Sequence, residues 1–375
     1  MATTGRDGVS LMTSRVYRAV AGHAARTARG AVRAAWIATA CAASAALVSA
    51  AAAERPPAAR VSQTQRLMGV PWTITVIADS DTAGRAAISA GFAEAARLER
   101  VLSDYDPASE LSQLSAAAPT ARPVPVTADL WRVLERAVEI RDGSEGGFDP
   151  TVGPLTTLWR QARRSGRMPL PEKLAVARAA VGPDTLRLVP EARAVTLTRP
   201  GMRLDLGGIG MGYAIDRVRE VLGRHGIEAA MIDASGDIAV TAPPPGLAGW
   251  RIAMAPLPSA PEAAPQAPLL LAHAAVTTSG DAFQAVEIEG RRYSHVVDPR
   301  TGRGVAGPAA VTVIARDCTT ADALATAASV LGPERSAEAI AREPDCAARF
   351  VWLEDGQVRH FETPRWGSLA RPDDR

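Results

Sequence analysis

Lysine is almost missing from this chain. Lys173 is the only one among 375 residues, and every other strongly basic side chain is arginine. Lysine-centred catalysis therefore has little room. Cysteine is nearly as scarce: Cys41 lies near the N-terminus, and Cys318 and Cys346 stand 28 residues apart, in no CxxC or Cys/His cluster. The last two can form one disulfide at most, which excludes a disulfide scaffold, and a zinc site lacks its ligands. Long apolar runs are lacking too. The run from Ala34 to Val48 is about 15 residues, short of the roughly 20 that span a bilayer. Nor is there a basic surplus where it would matter. The formal charge is +2, but residues 1–53 carry six arginines against Asp7, which leaves residues 54–375 at −3. A slightly acidic body argues against nucleic acid or an anionic membrane as the main partner.

What is present is ordinary globular material, 47% apolar and 22% charged, with length for one large domain or two. The N-terminus combines a basic head, a short apolar middle and the small-residue exit Ser49-Ala50-Ala51-Ala52-Ala53-Glu54. Those are the parts of a secretory signal, so removal near Ala53 and a periplasmic mature protein are expected. Cys41 follows Ala38-Thr39-Ala40 and offers a weaker alternative, lipid attachment. The leucine usual three residues earlier is absent there, and the apolar run continues past it. Residues 54–65 read as a linker, 66–365 as one domain and 366–375 as a polar tail.

Within the body, Trp72, Ile74 and Val76 alternate with threonines, as in a half-buried strand. Residues 82–102 place Phe92, Ala95, Leu98 and Leu102 at helical spacing, and a second helix runs from near Thr127 to Gly143. Alternating runs at 185–189, 194–198 and 202–206 suggest a small meander, followed by a helix at 211–224 and strands at 229–233 and 236–240. Residues 243–268 hold eight prolines and read as a surface excursion with little structure. Beyond come a strand at 269–276, a hairpin turning at Glu289-Gly290 and a strand at 310–315. Helices at 319–331 and 335–342 and a hairpin through Asp355-Gly356 complete the chain. Strict βαβ alternation is absent, which favours α+β over a doubly wound sheet.

Five islands combine turn residues with polar groups that strands and helices do not need. Ser103 to Leu111 holds Asp104, Tyr105 and Asp106 and reads as a turn capped by Asp106 or Ser109. Gly146-Gly147-Phe148-Asp149-Pro150-Thr151-Val152-Gly153-Pro154 offers close backbone approach, a flat ring and an acceptor. It reads equally as a helix connection with Asp149 as N-cap. Leu204 to Ala214 passes from a strand through Gly207, Gly208, Gly210 and Gly212 into a helix, a place for phosphate at a helix N-terminus. Its spacing is neither GxGxxG nor a P-loop. Thr277 to Asp281 and Tyr293 to Gly302 surround His295 with hydroxyls, Asp298 and Arg300, which suggests phosphate handling. Asp322 and Thr326 share a helix face one turn apart, an oxygen pair suited to Mg²⁺.

In order and wording these islands resemble the FAD:protein FMN transferase family, often called ApbE-like, over roughly residues 66–333. The most specific runs are FDPTVGP at 148–154, LDLGGIGMGYAIDR at 204–217, SHVVDPRTG at 294–302 and ADALAT at 321–326. The resemblance implies an α+β fold of mixed, largely antiparallel sheets packed with helices. It implies an exported, Mg²⁺-dependent enzyme that splits FAD and attaches FMN as a phosphoester to a threonine or serine of an acceptor. It places FAD contacts at Met68, Tyr105, the backbone of Gly147 and Phe148, Asp149, Asp205, Met211 and Val296. Metal ligation falls to the Gly208 carbonyl, Asp322 and Thr326, and His295 lies beside the reacting phosphate. The implied partner is an exported or membrane-bound flavoprotein, such as a respiratory redox subunit. Three positions depart from the family pattern: Met211 replaces lysine or glutamate, Ala234-Ser235 a glycine pair, and Gly304 a proline. An FAD pyrophosphatase and a non-catalytic FAD-delivery protein are the alternative readings of the same residues.

Overall fold

Period-two burial makes the central layer. Trp72, Ile74 and Val76 are fully buried along one strand, as the threonine alternation requires. The computed structural model describes residues 58–254, 267–280, 285–306, 309–355 and 357–369. Residues 1–57, which include Cys41 and the stretch read as a secretory signal, and the middle of the Pro/Ala-rich stretch lie outside the described residues.

Strands β1 (Ala59–Leu67), β2 (Val70–Ala78), β6 (Ala229–Ala234), β7 (Asp237–Val240), β10 (Ala274–Gly280), β14 (Ala309–Ala315), β15 (Ala347–Glu354) and β16 (Gln357–Glu362) form one sheet in that order. Every neighbouring pair in it is antiparallel. Three small sheets surround it: β3 (Val124–Pro125) with β4 (Leu186–Val189) and β5 (Ala194–Leu197); β8 (Trp250–Ile252) with β9 (Leu269–Leu271); and β11 (Ala285–Ile288) with β12 (Arg291–Asp298) and β13 (Arg303–Ala306). Helices α1 (Asp81–Leu102), α2 (Glu110–Ala116), α3 (Ala128–Gly143), α4 (Gly153–Ser165), α5 (Pro171–Ala179), α6 (Gly210–Arg224) and α7 (Cys318–Arg342) complete the described part. The α+β expectation holds.

Helices α1, α6 and α7 cover one face of the large sheet. Helix α1 presents Ile88, Phe92, Ala95, Leu98 and Leu102 to that core, and Ser80 caps it by accepting from the Ala83 N–H at 3.2 Å. The opposite face packs on β8–β9 and on Trp366. Around Trp159 a smaller core joins α4 and α5 to β11 and β12, and its indole N–H donates to the Gly302 carbonyl at 2.9 Å. That contact seats the strand carrying His295.

The junction of α6 and α7 is close-packed. Asp216, 8% exposed on α6, accepts from the N–H groups of Cys318 and Thr319 at 3.0 and 2.9 Å and from the Thr319 hydroxyl at 2.6 Å. A carboxylate from one helix thus meets the unsatisfied donors that begin the next. The two backbones approach so closely that a methyl group on Gly212 would collide with the Cys318 carbonyl.

Several boundaries differ from the sequence reading. The linker assigned to 54–65 is half strand, because residues 59–67 pair with β2 in register from Ala59↔Ala78 to Leu67↔Val70. The run 202–206 forms no strand and makes only the parallel bridge Val152↔Arg203. The proline-rich excursion begins with a buried hairpin arm, Trp250 and Ile252 each being 4% exposed. The strand at 269–276 breaks at His273, whose φ is +49°, into β9 and β10. The two helices expected at 319–331 and 335–342 are both present, since the span labelled α7 is interrupted at Gly332, where φ is +77° and ψ 175°. The tail assigned to 366–375 begins within the fold, since Trp366 is fully buried and Leu369 packs on the same core. Cys318 and Cys346 are both buried free thiols.

The α6–α7 junction yields a stability test. Gly212→Ala is expected to cost about 1–3 kcal/mol by overpacking, read as a lower urea midpoint. Gly223→Ala in the same helix meets nothing within 4 Å, and should leave stability unchanged or raise it by up to ~1 kcal/mol, read as an equal or higher midpoint.

Candidate active site

The glycine turn between Leu204 and Gly212 is held from several sides. The Leu204 N–H donates to the Ser115 hydroxyl at 3.0 Å, and the Asp205 N–H to the Pro150 carbonyl at 2.9 Å. Asp205, 7% exposed, uses both oxygens: Oδ1 accepts from the Gly207 N–H at 2.8 Å, while Oδ2 accepts from the Thr156 hydroxyl at 2.6 Å and from Arg160 at 2.9 Å. Its carboxylate thus shapes the turn from within. Helix α6 then begins without a side-chain cap, and the Gly212 N–H donates to Asp322 Oδ2 at 3.2 Å. The third and fifth islands therefore meet at a helix N-terminus.

Around that point lies a set of oxygens that suits a divalent cation. Gly208 abuts Thr326 so closely that a Cβ at 208 would stand 2.6 Å from the threonine Oγ1. Asp322, one turn earlier on α7, is 7% exposed and forms no ion pair among the described residues. Burial pushes its carboxyl up to about 7, against the Gly212 hydrogen bond. A second carboxyl stands within its field. Asp237, at the start of β7, is driven far above the usual carboxylate range by burial, then by the charges of Asp322 and Asp233. Register places Thr277 beside it, since Val276 pairs with Ile238 one position before. The Thr277 hydroxyl is buried and has no hydrogen-bond partner among the described residues. Carboxyl, hydroxyl and backbone carbonyl oxygens are the hard donors that Mg²⁺ takes, so the chemistry of the residues gathered near Gly208 fits that ion. The sequence reading names Gly208, Asp322 and Thr326 here and misses Asp237. The only linear signal for Asp237 is a carboxylate directly after the Ser235-Gly236 turn.

The residues assigned to FAD fall on neighbouring elements. Met68 occupies the two-residue β1–β2 turn with Gly69, at φ +50° and +82°. Tyr105 stands 73% exposed, with the Arg160 guanidinium 4.2 Å from its ring centre. The Gly147 backbone lies against α7, where an added Cβ would come within 2.7 Å of the Leu331 side chain. Gly146 faces the Arg300 side chain, so the second island touches both α7 and the turn after β12. Met211 is half-buried on the main core. Val296 is 7% exposed, and its N–H donates to the Ser294 hydroxyl at 3.1 Å. His295 is half-buried beside it on β12, a strand that packs on α7.

Three details depart from expectation. The Phe148 ring is 4% exposed within the core, so this residue can offer a ligand its backbone but not a flat face. Asp149 caps no helix: α4 starts at Gly153, and Asp149 Oδ1 accepts from the Thr151 N–H at 2.8 Å and hydroxyl at 2.6 Å. Burial raises its carboxyl and those two donors oppose the rise. Asp298 and Arg300 engage each other in a two-bond fork of 2.9 and 3.0 Å. Burial alone would raise the Asp298 carboxyl, but the fork and backbone donors hold it below its ordinary value. Their charges are spent on each other, which leaves His295 as the titratable group of that stretch suited to proton transfer.

The model of the ApbE family matches residues 68–350. The chain belongs to that family. The FAD:protein FMN transferase of Haemophilus influenzae is 32% identical over 242 residues, which is 63% of this chain and 70% of that protein. The one of Treponema pallidum is 33% identical over 278 residues, 70% of this chain and 75% of that protein. The solved flavin transferase ApbE of Vibrio cholerae superposes with a TM-score of 0.73 at 28% identity, over 84% of this chain and 100% of that one. The apo flavinyl transferase ApbE of Pseudomonas stutzeri gives 0.73 at 28%, over 83% and 97%. The ApbE fold is thus present in full.

The raised carboxyl of Asp322 yields a pH test for a cation at this point of the ApbE-family fold. The folded Asp322 titrates near 7, well above its ordinary 3.8, so in cation-free protein its contribution to stability is full below about pH 4 and is lost as pH rises through 7. Mg²⁺ needs the carboxylate. Its gain in melting temperature should therefore be larger at pH 8 than at pH 6, and absent in Asp322→Asn. An equal Mg²⁺ gain at both pH values, retained in the asparagine variant, would place the cation elsewhere.

Proposed function

We propose that the chain is an Mg²⁺-dependent FAD:protein FMN transferase that works outside the inner membrane. The observation that carries this reading is the oxygen cradle of Gly208, Asp322 and Thr326 at the N-terminus of α6, in a chain whose family relatives carry that activity by name. The basic, then apolar, then small-residue pattern of residues 1–53 supports export. The acceptor is then an exported or membrane-bound flavoprotein, of the respiratory redox class.

Gly208, Asp322 and Thr326 would hold Mg²⁺, with Asp237 and Thr277 behind them. The bound ion supplies charge neutralisation for the pyrophosphate and for the departing AMP. The N-terminus of α6, which has no N-cap side chain, adds positive potential at the same point. Tyr105, Met211 and the Gly147–Phe148 backbone bind and orient the dinucleotide. His295 takes the proton of the acceptor hydroxyl. The hydroxyl oxygen bonds to the phosphorus attached to riboflavin, the bridging P–O bond breaks, and AMP leaves.

Incubation with FAD, Mg²⁺ and a candidate acceptor tests this. Covalently yellow acceptor plus AMP is expected; free FMN plus AMP indicates a hydrolase, and intact bound FAD a carrier. His295→Asn should keep FAD binding and the wild-type melting temperature while transfer falls roughly 10²–10⁴-fold. Unchanged transfer would remove His295 from the mechanism.

A further inference from the structure

Arg160 lies in the middle of α4, in the run Leu158-Trp159-Arg160-Gln161, where the sequence alone marks it as one more helical arginine. In the fold it joins the first island to the third. One guanidinium nitrogen donates to Asp104 Oδ2, and the other donates to Asp205 Oδ2 at 2.9 Å. Its Cζ stands 4.2 Å from the centre of the Tyr105 ring. The arginine is 18% exposed, and the two carboxylates are 6% and 7% exposed. Arg203 donates to the Asp104 carbonyl and steadies the same loop.

This arrangement is unusual in what it leaves open. Tyr105 is 73% exposed, so apolar packing does not hold the ring. A planar cation stacked on one side does, and its edge is fixed by two buried carboxylates. The rest of the ring faces solvent. Asp205, on the other arm, sets the Gly207 turn through its second oxygen. One guanidinium therefore ties the pose of an exposed aromatic platform to the turn that carries Gly208.

We propose that Arg160 is a positioning residue for substrate binding. It holds Tyr105 as a stacking platform for a planar aromatic ring of the dinucleotide and keeps that platform in register with the glycine turn. The inference rests on the reading that the chain binds FAD. Lysine cannot substitute fully. It supplies a point charge to the carboxylates but neither the planar stack nor the two-sided fork.

The test measures FAD binding by flavin fluorescence quenching, steady-state transfer, and melting temperature for wild type, Arg160→Gln, Arg160→Lys, Tyr105→Ala and the Arg160→Gln/Tyr105→Ala double variant. Arg160→Gln should weaken FAD binding and raise its KM about 3- to 30-fold, with kcat within about threefold. Quenching should fall in parallel. The double variant should bind little worse than Tyr105→Ala, because both remove one platform. Should Arg160→Gln lose cooperative unfolding, Arg160→Lys decides: weaker binding at an unchanged melting temperature supports the proposal, and unchanged binding overturns it. FMN and AMP, titrated separately, show which ring is stacked, through the one whose affinity depends on Arg160; dependence of neither overturns the platform. A fall in kcat alone, or fully additive effects in the double variant, also overturns it. Wild-type protein that fails to bind FAD overturns the functional reading itself, whereas wild-type binding that Arg160→Gln leaves intact overturns only this inference.

Discussion

The contact between α6 and α7 is the constraint on which the rest of the molecule depends. Asp216 takes the first donors of α7 into its own carboxylate, and Gly212 lets the two backbones close to a distance that no side chain permits. Both helices then lie on the same face of the large antiparallel sheet. With that junction closed, Gly208 stands against Thr326 and the Gly212 N–H points at Asp322. A shift of one turn in either helix would separate these groups by about 5 Å, since the helical rise is about 1.5 Å per residue.

The interior acids of this protein are treated in different ways, and the contrast locates the chemistry. Asp216 is satisfied by a helix N-terminus, and Asp104 and Asp205 share the Arg160 guanidinium. Asp322 and Asp237 receive no cation from the described residues, and burial raises both. Two carboxylates held near each other without compensation, one of them buried, are costly unless a proton or an external cation supplies the missing charge. Asp216 and Asp205 are compensated by donors within the fold, and Asp322 and Asp237 by no cation among the described residues.

Much of the site was legible because its residues are concentrated in short runs with distinctive turn chemistry. The glycines at 207, 208, 210 and 212, the Asp322–Thr326 spacing and the hydroxyls and charges around His295 each carry a local physical signature. Other parts were not legible. Arg160 sits in a helix among Arg163 and Arg164, and nothing in linear order distinguishes it from solvated neighbours. Asp237 gains its character only when β7 and α7 enclose it. Asp298 and Arg300 looked like free polar groups beside His295, but side chains two residues apart at a turn can satisfy each other. The linker at 54–65 and the tail from 366 failed for a related reason: β1 has polar residues because it is an edge strand, and Trp366 is one large residue in a polar stretch.

By itself the sequence determined the α+β class, the order of most elements and the five islands, because hydrophobic period, capping residues and turn glycines act over a few positions. Tertiary structure alone decided which polar groups are spent on one another and which keep an uncompensated charge among the described residues. Phe148 became core, Asp205 became the brace of a turn, Asp298 was neutralised by Arg300, and Asp322 was left with a buried carboxyl raised to about 7. Charge compensation and desolvation depend on neighbours brought together from distant parts of the chain, and those neighbours exist only once the sheet and its helices have closed.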